Sequence, residues 1–227
     1  MIARAAKAWT RVVRSYAATR CRARVVVLLP IIILSAAWLM ERRRPDATML
    51  LDYATACLVI VALRVMDDLA DRPRDCPREP ARIACQPGAA GPLFVLALLA
   101  SLAAGSLLLA SRSWPALVIV GVAYAMVAGW YGIRDPLQAS RLVNAHFVLA
   151  KYPLLVVALG VRSGFAWESE AGLAIWLPAM ICYLALMLYE LWDDRDVRLD
   201  PRAAWCWRVE AVGATALLAG WIVTRFR

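Results

Sequence analysis

The chain of 227 residues contains one histidine, and none of its six cysteines forms a C-x-x-C pair. Protein zinc sites are built from closely spaced cysteines and histidines, so these two shortages speak against one. The cysteines at 21, 57, 76, 85, 182 and 206 are scattered, and their spacing implies no disulfide framework. Charged residues make up only 19% of the chain, and no polar stretch is long enough to fold as a separate soluble domain. An aromatic-plus-basic module for reading nucleic acid is also absent, so the net charge of +9 is expected to meet anionic lipid rather than nucleic acid. The N-terminus does not have the build of a signal peptide. Arg4, Lys7, Arg11 and Arg14 recur at steps of three and four, interleaved with Trp9, Val12, Val13 and Tyr16. This is the pattern of a basic amphipathic helix lying on a membrane surface, and residues 1–24 are assigned to it.

What the chain has in abundance is apolar sequence. Hydrophobic residues make up 63% and the mean hydropathy is +0.62, where soluble domains run at about 45–50% apolar. Apolar runs near 25–40, 47–66, 92–110, 114–131, 142–160, 171–191 and 203–223 approach the roughly 20 residues that cross a bilayer. The expected fold is therefore all-α, one polytopic bundle of about seven transmembrane helices over residues 25–227. With the N-terminus in the cytoplasm, residues 1–24, 72–82, 134–141 and 195–208 share its side and carry seventeen lysines and arginines. The other side carries seven. The positive-inside rule then predicts a cytoplasmic N-terminus.

The aspartates are concentrated in two segments. The first reads Arg64-Val-Met-Asp67-Asp68-Leu-Ala-Asp71-Arg72-Pro73-Arg74-Asp75, and the second Tyr189-Glu190-Leu-Trp-Asp193-Asp194-Arg195-Asp196-Val-Arg198-Leu-Asp200. Both contain D-x-x-D-x-x-x-D, as Asp68, Asp71, Asp75 and as Asp193, Asp196, Asp200. Steps of three and four put carboxylates on one helical face, with Pro73 expected to bend the first segment before Asp75. Each segment follows an apolar run, so its negative charge falls at a helix C-terminus, against the macrodipole and against its own neighbours. A divalent cation would relieve both penalties, and an all-oxygen set including Asp67 and Asp194 suits Mg²⁺ shared with substrate phosphates. Arginines are interleaved: Arg64, Arg72, Arg78 and Arg82 at the first segment, Arg195 and Arg198 at the second. Guanidinium forks match phosphate oxygens. By the charge count both segments face the cytoplasm and could serve one diphosphate. A pair of solvated, salt-bridged juxtamembrane turns is the plainer alternative.

These motifs resemble those of the UbiA superfamily of intramembrane prenyltransferases. That family carries N-D-x-x-D-x-x-x-D after its second helix and a second aspartate-rich motif after its sixth. Here Asp67-Asp68-x-x-Asp71-x-x-x-Asp75 follows the second apolar run, with aspartate in place of the leading asparagine. Tyr189 and the Asp193–Asp200 group follow the sixth. Arg78-Glu-Pro-Ala-Arg82 and Pro87-Gly88 loosely resemble the family's basic loop. The resemblance implies a helical bundle with Mg²⁺ at both motifs, a prenyl diphosphate substrate and a lipid-open cavity for the prenyl chain.

The implied activity is prenyl transfer to an acceptor, with Asp68, Asp71, Asp193 and Asp196 as the catalytic carboxylates. The family has nine helices where about seven runs are counted here, which leaves less chain for an acceptor pocket. A UbiA-type terpene cyclase, which needs no acceptor, is therefore the alternative. A non-enzymatic carrier or cation-binding protein is a third reading, although acids crowded at one surface argue against transport. Lys151 lies deep in the fifth run, seven residues after Asn144, and the pair is expected to face the cavity with Lys151 on the diphosphate. A lysine snorkelling to the interface is the alternative. His146 is expected to pack between helices, and Trp130, Tyr131, Tyr183 and Trp192 could line a carbocation pocket.

Overall fold

The computed structural model describes residues 2–21, 24–41, 48–111, 113–162 and 169–225. The described residues are helical and contain no strand. The helices are α1 (Ile2–Arg20), α2 (Leu29–Glu41), α3 (Thr48–Ala70), α4 (Arg72–Asp75), α5 (Ala90–Ala110), α6 (Trp114–Ile133), α7 (Arg141–Leu149), α8 (Lys151–Arg162), α9 (Ser169–Asp193), α10 (Arg195–Arg198) and α11 (Ala203–Arg225). A π-helical turn, Arg24–Leu28, leads into α2, and a 3₁₀ turn, Ile83–Cys85, precedes α5. Among the described residues, four segments are long and apolar enough to cross a membrane: Thr48–Ala70, Ala90–Ala110, Trp114–Ile133 and Arg141–Val161. Val26–Trp38 is a shorter apolar helix. These segments mark the chain as an integral membrane protein.

The packing is inside-out relative to a soluble bundle. On α5 the buried residues are Leu93, Ala97, Ala100, Ala104 and Leu108, and on α6 they are Ala116, Val120, Ala123, Val127 and Trp130. Small side chains at steps of three and four let helix backbones approach closely. Phe94, Leu102 and Leu109 of α5 and Trp114, Val118 and Val122 of α6 point outward, as lipid-facing residues do.

Two compact units form. The first comprises Met1–Ile31 with Pro45–Ser111, and the second Ile32–Arg44 with Arg112–Arg227. In the first, α3 packs along α5, and α1 docks on α5 and the 3₁₀ turn. Tyr16 anchors α1 in a core of Val65, Ala84, Ala89, Leu93 and Ala97. The π-helical turn has a local cause. Pro30 has no N–H to offer the carbonyl four residues earlier, and that carbonyl, on Val26, accepts the Tyr53 hydroxyl instead at 3.1 Å. In the second unit, α6 packs on α8, α8 on α9 and α9 on α11. The apolar run expected over 142–160 is not one helix. It breaks at Ala150, where Pro153 cannot donate to the carbonyl of Leu149, and so divides into α7 and α8.

The cysteine spacing implies no disulfide framework, yet Cys76 and Cys85 form a disulfide. A chain reversal after α4 brings their Cα atoms to 5.2 Å, within bonding range. A Gln86-Pro87-Gly88-Ala89 turn then redirects the chain into α5. Ala89 N donates to Gln86 O at 3.1 Å, and Gly88 takes φ 77°, which a side chain would resist. The reversal depends on how the turn folds, and residue spacing does not reveal it. Disulfides persist in oxidising compartments, whereas the positive-inside count assigns this loop to the cytoplasm. Alkylation of denatured, unreduced protein should label at most Cys21, Cys57, Cys182 and Cys206, with Cys76 and Cys85 joining only after reduction. Labelling of Cys76 and Cys85 without reductant would remove the bridge.

Candidate functional site: a buried aspartate ringed by arginines

The first aspartate motif sits where α3 ends, within the first unit. Helix α3 runs to Ala70, and Asp71 is the N-cap residue of the one-turn α4, whose opening Pro73 needs no N–H donor. The Asp71 carbonyl accepts from Arg74 N and Asp75 N at 2.9 and 2.8 Å. The bend expected before Asp75 thus falls earlier, at Asp71, and Asp67 and Asp68 remain on α3 and are buried.

Asp68, 5% exposed, is the centre of the arrangement. Its Oδ2 accepts the Tyr16 hydroxyl at 2.6 Å and Arg20 Nε at 3.0 Å, and its Oδ1 accepts Arg20 Nη2. Both oxygens are therefore held by α1, from 48 and 52 residues away. Burial first, then the charge and hydrogen bond of Asp68, push the Tyr16 phenol well above its ordinary range, so it remains a donor. Burial works against the Arg20 charge, but the hydrogen bond and charge of Asp68 outweigh it and raise its pKa. Arg82, in the disulfide-closed loop, pairs with Asp75 and lies 3.5 Å from Glu79. Its pKa is lowered, first by burial and then by Arg20, with Arg64 adding to the repulsion and Asp68 and Asp71 opposing it. Guanidinium groups from α1, α3 and the loop thus lie within electrostatic reach of one another. The Nε atoms of Arg64 and Arg72 are buried without a hydrogen-bond partner, a costly state for a cationic donor. Arg78 is exposed.

The second motif, in the second unit, has a different register. Helix α9 ends at Asp193, and the break falls at Asp194, two residues earlier in the motif than the break at Asp71 in the first. Asp194 Oδ1 accepts Val197 N at 3.3 Å at the start of α10, and Asp200 Oδ1 accepts Arg202 N at 3.0 Å. Both carboxylates thus serve turns, the local role short acidic side chains commonly take. Tyr189, Asp193 and Arg195 are exposed, while the side chain of Asp196 lies outside the described residues. Beside the motif is an open cleft of about 370 Å³, lined by Leu191, Trp192, Arg198, Ala203, Ala204 and Trp207.

Does this donor set fit a resident metal? Both oxygens of Asp68 are hydrogen-bonded to Arg20 or Tyr16, and Asp75 is paired with Arg82. Among the described residues no three Asp, Glu, His or Cys side chains converge to hold an ion. A divalent cation here would need oxygens from a bound ligand beside the one or two carboxylates the motif offers.

Asn144 lies on α7 and Lys151 opens α8, on either side of the turn at Ala150. The Asn144 carbonyl oxygen is taken by Trp130 Nε1 at 3.0 Å and Arg134 Nη1 at 3.2 Å. Lys151 is 0% exposed, with its ammonium 5.3 Å from the centroid of the Tyr152 ring, so it does not snorkel. Of the aromatics, Trp130 stacks on Phe147, Tyr131 lies under the Arg134 guanidinium, and Trp192 is exposed.

Sequence reasoning missed Tyr16, Arg20 and Glu210. Tyr16 and Arg20 are one turn apart on an amphipathic helix, a signal for a shared target that was read as lipid. Glu210 is an acid inside an apolar run, a signal in itself. It is buried and accepts His146 across 64 residues of chain. His146 therefore bridges α7 to α11, the packing role expected of it. No protein-family model, no characterised protein and no solved structure matches this chain.

Proposed function

We propose that this protein is a membrane prenyltransferase of the UbiA type, which binds a prenyl diphosphate at its aspartate motifs and transfers the prenyl group to an acceptor. The observation that carries the reading is the first motif. At the end of an apolar helix, arginines from separate elements surround buried aspartates, and the Nε atoms of Arg64 and Arg72 await acceptors. A diphosphate supplies such acceptors, and its apolar tail has lipid and the outward faces of the helices to enter. Mg²⁺ enters the proposal as the companion of the diphosphate, bound through phosphate oxygens and one or two carboxylates. The protein's own part is to hold the leaving group among guanidinium donors, so that charge developing on it is stabilised in a dry site. The surrounding apolar helices keep water from the allylic cation.

The test is incubation of purified protein with geranyl, farnesyl and geranylgeranyl diphosphates, candidate acceptors and Mg²⁺, followed by mass spectrometry. A prenylated acceptor is expected, with turnover lost in EDTA and nearly lost in Asp71→Ala and Asp193→Ala. A cyclic hydrocarbon formed without acceptor would replace transfer by cyclisation. Absence of any turnover would leave a non-enzymatic membrane protein.

A further inference from the structure

The amphipathic helix α1 has two faces with different tasks. Lys7, Arg11 and Arg14 are exposed, while Val12 and Tyr16 pack into the first unit. Arg20 follows Val12 and Tyr16 at steps of four, on the inward face. It lies in the last turn of α1, where its charge complements the helix dipole, and its fork closes on both oxygens of Asp68. The side chain is 23% exposed although Asp68 is 5% exposed, so the guanidinium can be reached from outside while its partner cannot. A fork that fits a carboxylate also fits two phosphate oxygens. Tyr16 remains on Asp68 Oδ2 and needs no movement to keep that carboxylate hydrogen-bonded when Arg20 leaves.

We propose that Arg20 is a diphosphate-binding residue: it holds Asp68 in the ligand-free protein and turns to the phosphate oxygens when the anion enters, with Tyr16 retaining Asp68. The exchange places α1 in the working site and explains why a surface helix spends an arginine on a buried aspartate. It also accounts for an Asp68 whose two oxygens are both held by α1. The arginines of α3, α4 and the disulfide-closed loop then complete the donor set. The inference rests on the reading of this motif as a diphosphate site.

The test is calorimetric titration of the full-length protein with inorganic diphosphate and Mg²⁺, which requires neither prenyl chain nor turnover. Arg20→Gln should bind roughly ten-fold more weakly or worse, as expected for loss of a charge-assisted pair. Arg20→Lys should fall between the two, and Tyr16→Phe should bind nearly as the parent does. A purely structural Arg20 would lower the melting temperature but leave diphosphate affinity unchanged, and that result overturns the proposal. If the parent binds no diphosphate, the anion-site reading itself fails, a different outcome from equal affinity in parent and variant. A second measurement needs no variant. Phenylglyoxal modification of Arg20, read by mass spectrometry, should be suppressed by inorganic diphosphate, and unchanged modification overturns the exchange.

Discussion

Asp68→Ala should eliminate turnover of a prenyl diphosphate and also destabilise the protein by about 3 kcal/mol, the scale for removing one partner of a buried ion pair. The substitution leaves the guanidinium of Arg20 and the buried hydroxyl of Tyr16 facing a space where both oxygens of Asp68 had been. Arg20→Gln placed in the same chain should recover part of that loss, because the uncompensated charge goes with it. It should recover none of the activity. The measurement is a double-mutant cycle on unfolding in detergent beside the product assay. Additive stability losses would show that Asp68 and Arg20 are not coupled, and the arrangement around the first motif would then be wrong.

The second large effect is expected in the second unit, where α7 meets α11. His146 Nδ1 lies 2.8 Å from the carbonyl oxygen of Leu142, which can only accept, so Nδ1 carries a hydrogen. The remaining proton lies between His146 Nε2 and Glu210 Oε1, also 2.8 Å apart. One shared proton thus joins α7 to α11 in an apolar setting, with Glu210 Oε2 buried and unpartnered. Glu210→Ala should cost about 2–3 kcal/mol, since it leaves an imidazole nitrogen without its partner. Glu210→Gln retains a hydrogen bond to the ring and should cost less. Melting temperatures of the two variants in one detergent give the comparison. Equal stability of Glu210→Ala and the parent would mean that the bridge contributes nothing.

Much of the helical layout was legible because it is written in local terms. A run of apolar residues the length of a bilayer has to satisfy its backbone internally, and a helix does so without reference to the rest of the chain. The helix over Thr48–Ala70, the pair Ala90–Ala110 and Trp114–Ile133, and the N-terminal helix follow from such runs and from basic residues at steps of three and four. The aspartate motifs were equally visible, since their repulsion at a helix end is a property of adjacent residues.

What the tertiary structure alone decided is which distant group answers each local demand. Composition and spacing ask for a positive partner at Asp68, and folding brings Arg20 there, with the Tyr16 hydroxyl beside it, from about fifty residues away. The same holds for Asp75 with Arg82, for Cys76 with Cys85 and for His146 with Glu210. Asn144 looked available until the packing of α6 on α7 gave its oxygen to Trp130 and Arg134. Apolar periodicity tells a helix where to lie because burial is non-directional and adds up over many residues. A hydrogen bond or ion pair is made by single atoms within about 3 Å, and only the assembled backbone brings such atoms together.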